Sequence, residues 1–230
     1  MLRPLLSRVR DVELRSFETH VQHLVNAIPK DGTTFDIQSF FTSFTLDLST
    51  DVFLGSSTNL LSSKDEDRTD GQQFAKAFDY APRALAGLDE YNIFNMVRKR
   101  IFGDRQLEES LADVHKFMDT VLDKPLQPQD SMQQEKQSFV GALLNSGRSR
   151  SDVKYDVINA ILAGRETEAA YLSSIWYVLS TRPDIYNKLR DEISILEGKA
   201  PTKEDLHRLP YLQQVLQEGM SYATLERWSS

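Results

Sequence analysis

The sequence predicts an all-α fold, and three observations predict it. Apolar residues recur at threes and fours along most of the chain. No run alternates apolar and polar residues over the length of a strand. One segment, from about Ser151 to Thr181, keeps a helical apolar spacing over roughly 30 residues, or about 45 Å of helix.

The elements follow in order. Leu14, Phe17, Val21, Leu24 and Ile28 define a helix over residues 11–28, which Pro29-Lys30-Asp31-Gly32 ends. Asp36 is the predicted N-cap of a strongly apolar helix through Phe40, Phe44, Leu48 and Phe53, stopped by Gly55. Asp47 and Asp51 lie one turn apart on it; with no third metal ligand in view, they read as a polar edge. A polar loop over 56–70 leads to helices over 71–88, 90–102 and 107–122, and a Pro- and Gln-bearing linker over 123–138 follows. A short helix over 139–144 precedes the long one. Pro183 falls in the first turn of the next helix, which turns Ile185, Leu189, Ile193 and Leu196 inward and closes at Gly198. Thr202 and Asp205 form a capping box, and Pro210 opens a last helix through Leu212, Val215 and Leu216.

Composition sets bounds. At 230 residues, 40% hydrophobic and 10% aromatic, the chain is long enough for one domain with its own core. A net charge of −7 argues against a nucleic-acid partner. Cysteine is absent, so disulfides, thiolate metal ligands and cysteine nucleophiles are excluded from these residues. No apolar run reaches the length of a membrane span, and Met1-Leu2-Arg3-Pro4 leads straight into helix-forming sequence, as if the chain began mid-domain. Ile93, Phe94, Val97, Ile101 and Phe102 around the basic run Arg98-Lys99-Arg100 suit burial against a neighbouring helix in the first place, with a membrane surface as the alternative.

Within the long helix, Ala163-Gly164-Arg165-Glu166-Thr167-Glu168 places charges and a helix-weakening glycine between two apolar halves: Val153, Val157, Ile158, Ile161 and Leu162 before it, Leu172, Ile175, Trp176 and Leu179 after it. Two readings stay open on these residues alone. Arg165, Glu166 and Glu168 belong to a solvated face, or the helix is interrupted here: Gly164 admits a close neighbour, the Thr167 hydroxyl turns onto the carbonyl one turn back, bending the helix and opening a groove, and Glu166 moves protons. A separate reading is a metal-dependent hydrolase using His20 and His23, three residues apart, with Glu18 nearby.

The order of segments adds a resemblance. Ala163-Gly164-Arg165-Glu166-Thr167, followed by YVLSTRPDIYNKLRDEI and LHRLPYLQQVLQEGM, and preceded by HVQHLVNAIPKDGTTFDIQSFFTSFTLDLSTDVFLG and FAKAFDYAPRAL, resembles the cytochrome P-450 haem monooxygenases. The upstream segments are similar to the fungal branch that hydroxylates fatty acids and alkanes. The resemblance spans nearly the whole chain. It implies one partial domain over 1–230, the central portion of that fold, with the long helix crossing the distal side of a haem. By resemblance, Ala163 and Gly164 would line the groove facing the porphyrin, Thr167 would hydrogen-bond toward the oxygen site, and Glu166 would relay protons to it. Phe74, Phe78 and Leu85 would roof the substrate pocket, or serve as ordinary core. The implied partners are an NADPH-cytochrome P-450 reductase and an apolar small-molecule substrate, with no nucleic acid. The implied location is the endoplasmic-reticulum membrane for full-length relatives, and cytoplasmic or peripheral for this chain, in which no anchor is recognised.

The chain departs from the family pattern in three places. Glu168 stands where a second hydroxyl residue is usual. Glu218 opens the structural Glu-x-x-Arg pair, but its fourth position is Ser221, which removes the bidentate partner of the carboxylate. The axial cysteine is missing, and none of His20, His23, His115 or His207 falls where an axial ligand would sit. Resemblance is expected to stop at Gly219-Met220-Ser221, whose codons can hold a splice donor, so SYATLERWSS is compatible with retained intron. The expectation is a truncated, inactive family member; the alternative is a non-catalytic helical binding module for an apolar ligand.

Overall fold

Nine α-helices make up most of residues 14–62, 68–87, 103–123 and 139–226, which the computed structural model describes, and no strand occurs among the described residues. They are α1 (Leu14–Ala27), α2 (Ile37–Leu54), α3 (Arg68–Leu85), α4 (Arg105–Asp123), α5 (Phe139–Asn145), α6 (Arg150–Thr181), α7 (Pro183–Ile193), α8 (Lys203–His207) and α9 (Pro210–Glu226). A 3-10 turn, Ser194–Leu196, follows α7. The predicted helix over 90–102, with its membrane-surface stretch, and the linker over 124–138 lie outside the described residues.

Local chemistry fixes the ends where the sequence placed them. The Asp36 carboxylate accepts from Gln38 N at 3.0 Å, and Gly55 at φ 71° closes α2 by donating its N–H to the Asp51 carbonyl at 2.8 Å. Pro183 sits at the start of α7. Thr202 and Asp205 close a reciprocal capping box, with Asp205 N donating to Thr202 Oγ1 at 3.1 Å and Thr202 N to Asp205 Oδ2 at 2.9 Å. The helix predicted from Gly71 begins earlier, at Arg68. Gly71 lies inside its first turn because a Cβ there would stand 2.0 Å from the Thr58 carbonyl oxygen.

The long helix α6 has 32 residues, about 48 Å by the usual rise, and is helical without a break through Gly164. Five of its six buried residues, Val153, Val157, Ile161, Arg165 and Ala169, keep a strict four-residue spacing, and the sixth, Ile175, falls outside it. Four residues advance about 400°, so the buried stripe turns about 40° at each step. The first half of α6 therefore faces one cluster, with Phe74 and Phe78 of α3, Met118 of α4 and Leu143 of α5. Ala169 faces another, with Leu24 of α1 and Phe41, Phe44 and Leu48 of α2. Against expectation, Trp176 is exposed, with its ring edge-on to Phe41 at 6.0 Å.

The helix α2 is buried on most of its circumference and packs along α6. Asp47, expected on a polar edge, is 1% exposed. Its carboxylate accepts from Thr58 Oγ1 at 2.6 Å, Leu60 N at 2.8 Å and Leu61 N at 3.0 Å, which ties the following loop to the helix. At the other end, Glu192 of α7 accepts from Tyr211 N at 2.9 Å and Leu212 N at 2.8 Å, capping α9 across space. Ile185, Leu189 and Leu196 are only half-buried, and Ile193 is exposed.

Candidate active-site face of the central helix

Arg165 anchors the motif. Its charge suggests a solvated residue, yet it is 2% exposed, because the four-residue stripe that carries Val153, Val157 and Ile161 inward carries it inward too. Its guanidinium pairs with Asp79 of α3 and lies 5.9 Å from the centre of the Phe78 ring. Its Nε is buried with no hydrogen-bond partner among the described residues. From α2, the Thr45 hydroxyl donates to the Arg165 carbonyl at 3.0 Å. Two helices thus hold the backbone of the motif from behind.

The opposite side is open. Ala163 and Thr167 are exposed and Gly164 is half-buried. Outside the helix's own backbone, a Cβ built on Gly164 would meet, among the described residues, only Glu168 Oε1, at 3.8 Å. The Thr167 hydroxyl donates to the Ala163 carbonyl at 3.1 Å, the backward bond that its position predicts. Glu166 is exposed. Glu168 is also exposed as a residue, but its carboxyl folds back toward Gly164, and burial pushes it above the ordinary glutamate range. Sequence spacing brings Ala163, Gly164 and Thr167 onto one side of α6; Glu166 stands two residues from Gly164, about 200° round the helix.

The other expected site residues lie elsewhere. Phe74 and Phe78 are core: Phe74 stacks on Phe117 at 4.2 Å and packs on Phe78 at 5.1 Å. Leu85, at the end of α3, is 66% exposed. Glu218 is exposed on α9. Gly219 beside it is buried where α9 crosses α6; a Cβ there would stand 2.6 Å from Ile175 Cγ1. Tyr171 of α6 completes that crossing by donating its hydroxyl to the Leu216 carbonyl. His20 and His23 form no metal centre with Glu18. His20 Nε2 donates to Asp51 Oδ2 at 3.2 Å, and among the described residues no three histidine, aspartate or glutamate side chains converge as a metal site.

The helix α6 thus runs through Gly164 without the interruption its sequence suggested, is held from behind, and bears an open small-residue face with Thr167 exposed. The cytochrome P450 family profile matches residues 8–225, and the chain belongs to that family. The match continues through Gly219 and Met220, past the point where resemblance was expected to stop. The cytochrome P450 monooxygenase FPY7 of Fusarium mangiferae is 28% identical over 96% of this chain and 43% of its own length. The cytochrome P450 monooxygenase himC of Aspergillus japonicus is 30% identical over 96% of this chain and 40% of its own. Cytochrome P450 52A5 of Candida maltosa is 32% identical over 95% of this chain and 44% of its own. The chain spans less than half the length of these curated relatives.

The residues present fit one face of a haem. The gap over Gly164 and the small side chain of Ala163 leave room for a flat ring to approach the backbone. The donor set for the other face is not here, since the 230 residues include no cysteine. His20 and His23 belong to α1, His115 packs against Tyr155 at 5.9 Å, and His207 is exposed on α8.

Proposed function

We propose that this chain forms the distal side of a haem monooxygenase that hydroxylates aliphatic C–H bonds of a fatty-acid- or alkane-like substrate, with electrons from an NADPH-cytochrome P-450 reductase. The observation that carries the reading is the open face of α6 over Gly164, flanked by Thr167 and backed by buried Arg165. Haem, when bound, supplies the iron chemistry that inserts one oxygen atom. The protein's part is positional and protic. Ala163 and Gly164 present backbone without bulk. Thr167, anchored to the Ala163 carbonyl, keeps its oxygen lone pairs available and can swivel its proton toward an acceptor. Glu166, exposed beside it, exchanges protons with water. Phe74 and Phe78 give the inner wall of α3, and Leu85 offers an apolar side chain at its end. Glu218 contributes to the scaffold, without the arginine that the family pairs with it. Endoplasmic-reticulum association belongs to the same proposal; among the described residues, no helix is long and apolar enough to cross a membrane.

Because these residues carry no thiolate, the 230-residue chain alone is proposed to take up haem weakly and to be inactive. Titration with hemin, followed by the Soret band and by quenching of Trp176, is expected to saturate. The reduced, carbon-monoxide-treated protein is expected to lack a thiolate-type Soret band. Gly164→Leu is expected to abolish the uptake. Saturation unaffected by Gly164→Leu, or no saturation at all, overturns the reading. The non-catalytic module for an apolar ligand has no supporting observation: the cavity of about 390 Å³ beside α3 and α4 is lined largely by polar residues, among them Ser56, Asn59, Asp70, Gln73 and Lys116.

A further inference from the structure

The carboxylate that departs from the family pattern occupies the better position for proton transfer. Glu168 stands one turn beyond Gly164, about 40° round the helix, while Glu166 is about 200° away. The Glu168 carboxyl is folded back so that Oε1 lies 3.8 Å from the Cβ position of Gly164, over the face left open for a ligand. Thr167 flanks the same glycine from the other side. Arg165, three residues before Glu168, is committed to Asp79 on α3, and Tyr171, a turn further on, gives its hydroxyl to Leu216 of α9.

We propose that Glu168, rather than Glu166, is the proton-holding group of this face. The inference rests on the haem-face reading given above. Glu168 gives its carboxyl proton to a basic oxygen atom held over Gly164, and the carboxylate left behind regains a proton from water at its exposed edge. No electron changes hands in the step, and the residue ends as it began. Burial keeps the proton on this group to higher pH than for a free glutamate, and a ring covering the face buries it further.

The test is a carbon-13 titration of the glutamate side chains in the 230-residue chain, with Glu168 assigned by its loss in Glu168→Gln. Glu168 is expected to titrate above the ordinary glutamate range, to move further up when hemin is added, and to keep its titration in Glu166→Gln. Circular dichroism checks that both variants fold. Hemin uptake that leaves the Glu168 titration unmoved, or a Glu168 titration within or below the ordinary range, overturns the proposal and leaves the haem face standing. Hemin that produces no Soret change overturns both.

Discussion

The two sides of α6 meet opposite demands. Behind, Arg165 pairs with Asp79, lies against Phe78, and has its carbonyl taken by Thr45. In front, Ala163 and Thr167 are exposed and Gly164 is half-buried, and the side-chain atom near the Cβ position of Gly164, Glu168 Oε1, belongs to the same helix. The rear contacts fix where the backbone lies, so the front is free of packing duties and can be shaped by chemistry. A site built this way is pre-organised by residues that never touch the ligand. Side chains behind the helix should therefore govern stability, and those in front should govern binding.

The largest test lies in the foundation under α6. Asp47→Ala removes a buried carboxylate that accepts three hydrogen bonds, from Thr58 Oγ1 and from the Leu60 and Leu61 N–H groups. Urea unfolding followed by circular dichroism should register a loss of about 3 kcal/mol or more. A loss below about 1 kcal/mol would place the loop outside the cooperative unit. Arg165→Met comes next, with an expected loss of about 1–3 kcal/mol, since it leaves Asp79 unpaired but still able to hydrate. Asp79→Asn should cost less than the arginine change, because the aspartate side chain is 54% exposed, and exposed partners are worth about 0–1 kcal/mol. Equal effects of the two changes would mean that the ion pair, not the buried stem, does the holding.

What the sequence made legible was local. Asp36, Gly55, Pro183, Thr202 with Asp205, and Pro210 each act on backbone within a few residues, and each sits where it was expected. The small-residue face was legible too, because Ala163, Gly164 and Thr167 share a side of any helix. Arg165 was not, since charge suggests solvent while its spacing from Ile161 dictates burial; the four-residue repeat from Val153 was the available signal. Asp47 and Glu192 were missed for another reason. Their partners lie 11–14 and 19–20 residues away, across turns whose path no local pattern fixes. The glycines of close approach, Gly71 and Gly219, likewise declare themselves only once a second segment is packed on them.

On the front face the signs reverse. Gly164→Ala meets nothing nearer than 3.8 Å, so the helix should gain about 0.5–1 kcal/mol from the better helix former. The same methyl stands where a ring would approach the backbone, so hemin uptake should weaken several-fold. A variant that is more stable yet binds less marks a residue kept for function. If Gly164→Ala gains stability with unchanged uptake, the gap is incidental and the contrast between the two sides fails.

The smallest expected effect is the dependence on pH at Glu168. Burial raises this carboxyl above its unfolded value, so the native state holds the proton more tightly than the unfolded chain does. Its contribution to stability is full below the ordinary glutamate range and is lost as pH rises through the raised value. Above the raised value the native state therefore carries a poorly solvated carboxylate that Glu168→Gln relieves. Because the residue is exposed, the relief is small, an increase in Tm of no more than about 2 °C on that side of the titration. Below the glutamate range both carboxyl and amide are neutral, and the two melting curves should coincide. A difference that persists into acid would assign the effect to the amide's own contacts, and with it would go the distinction between a face shaped for proton chemistry and one that is merely uncovered.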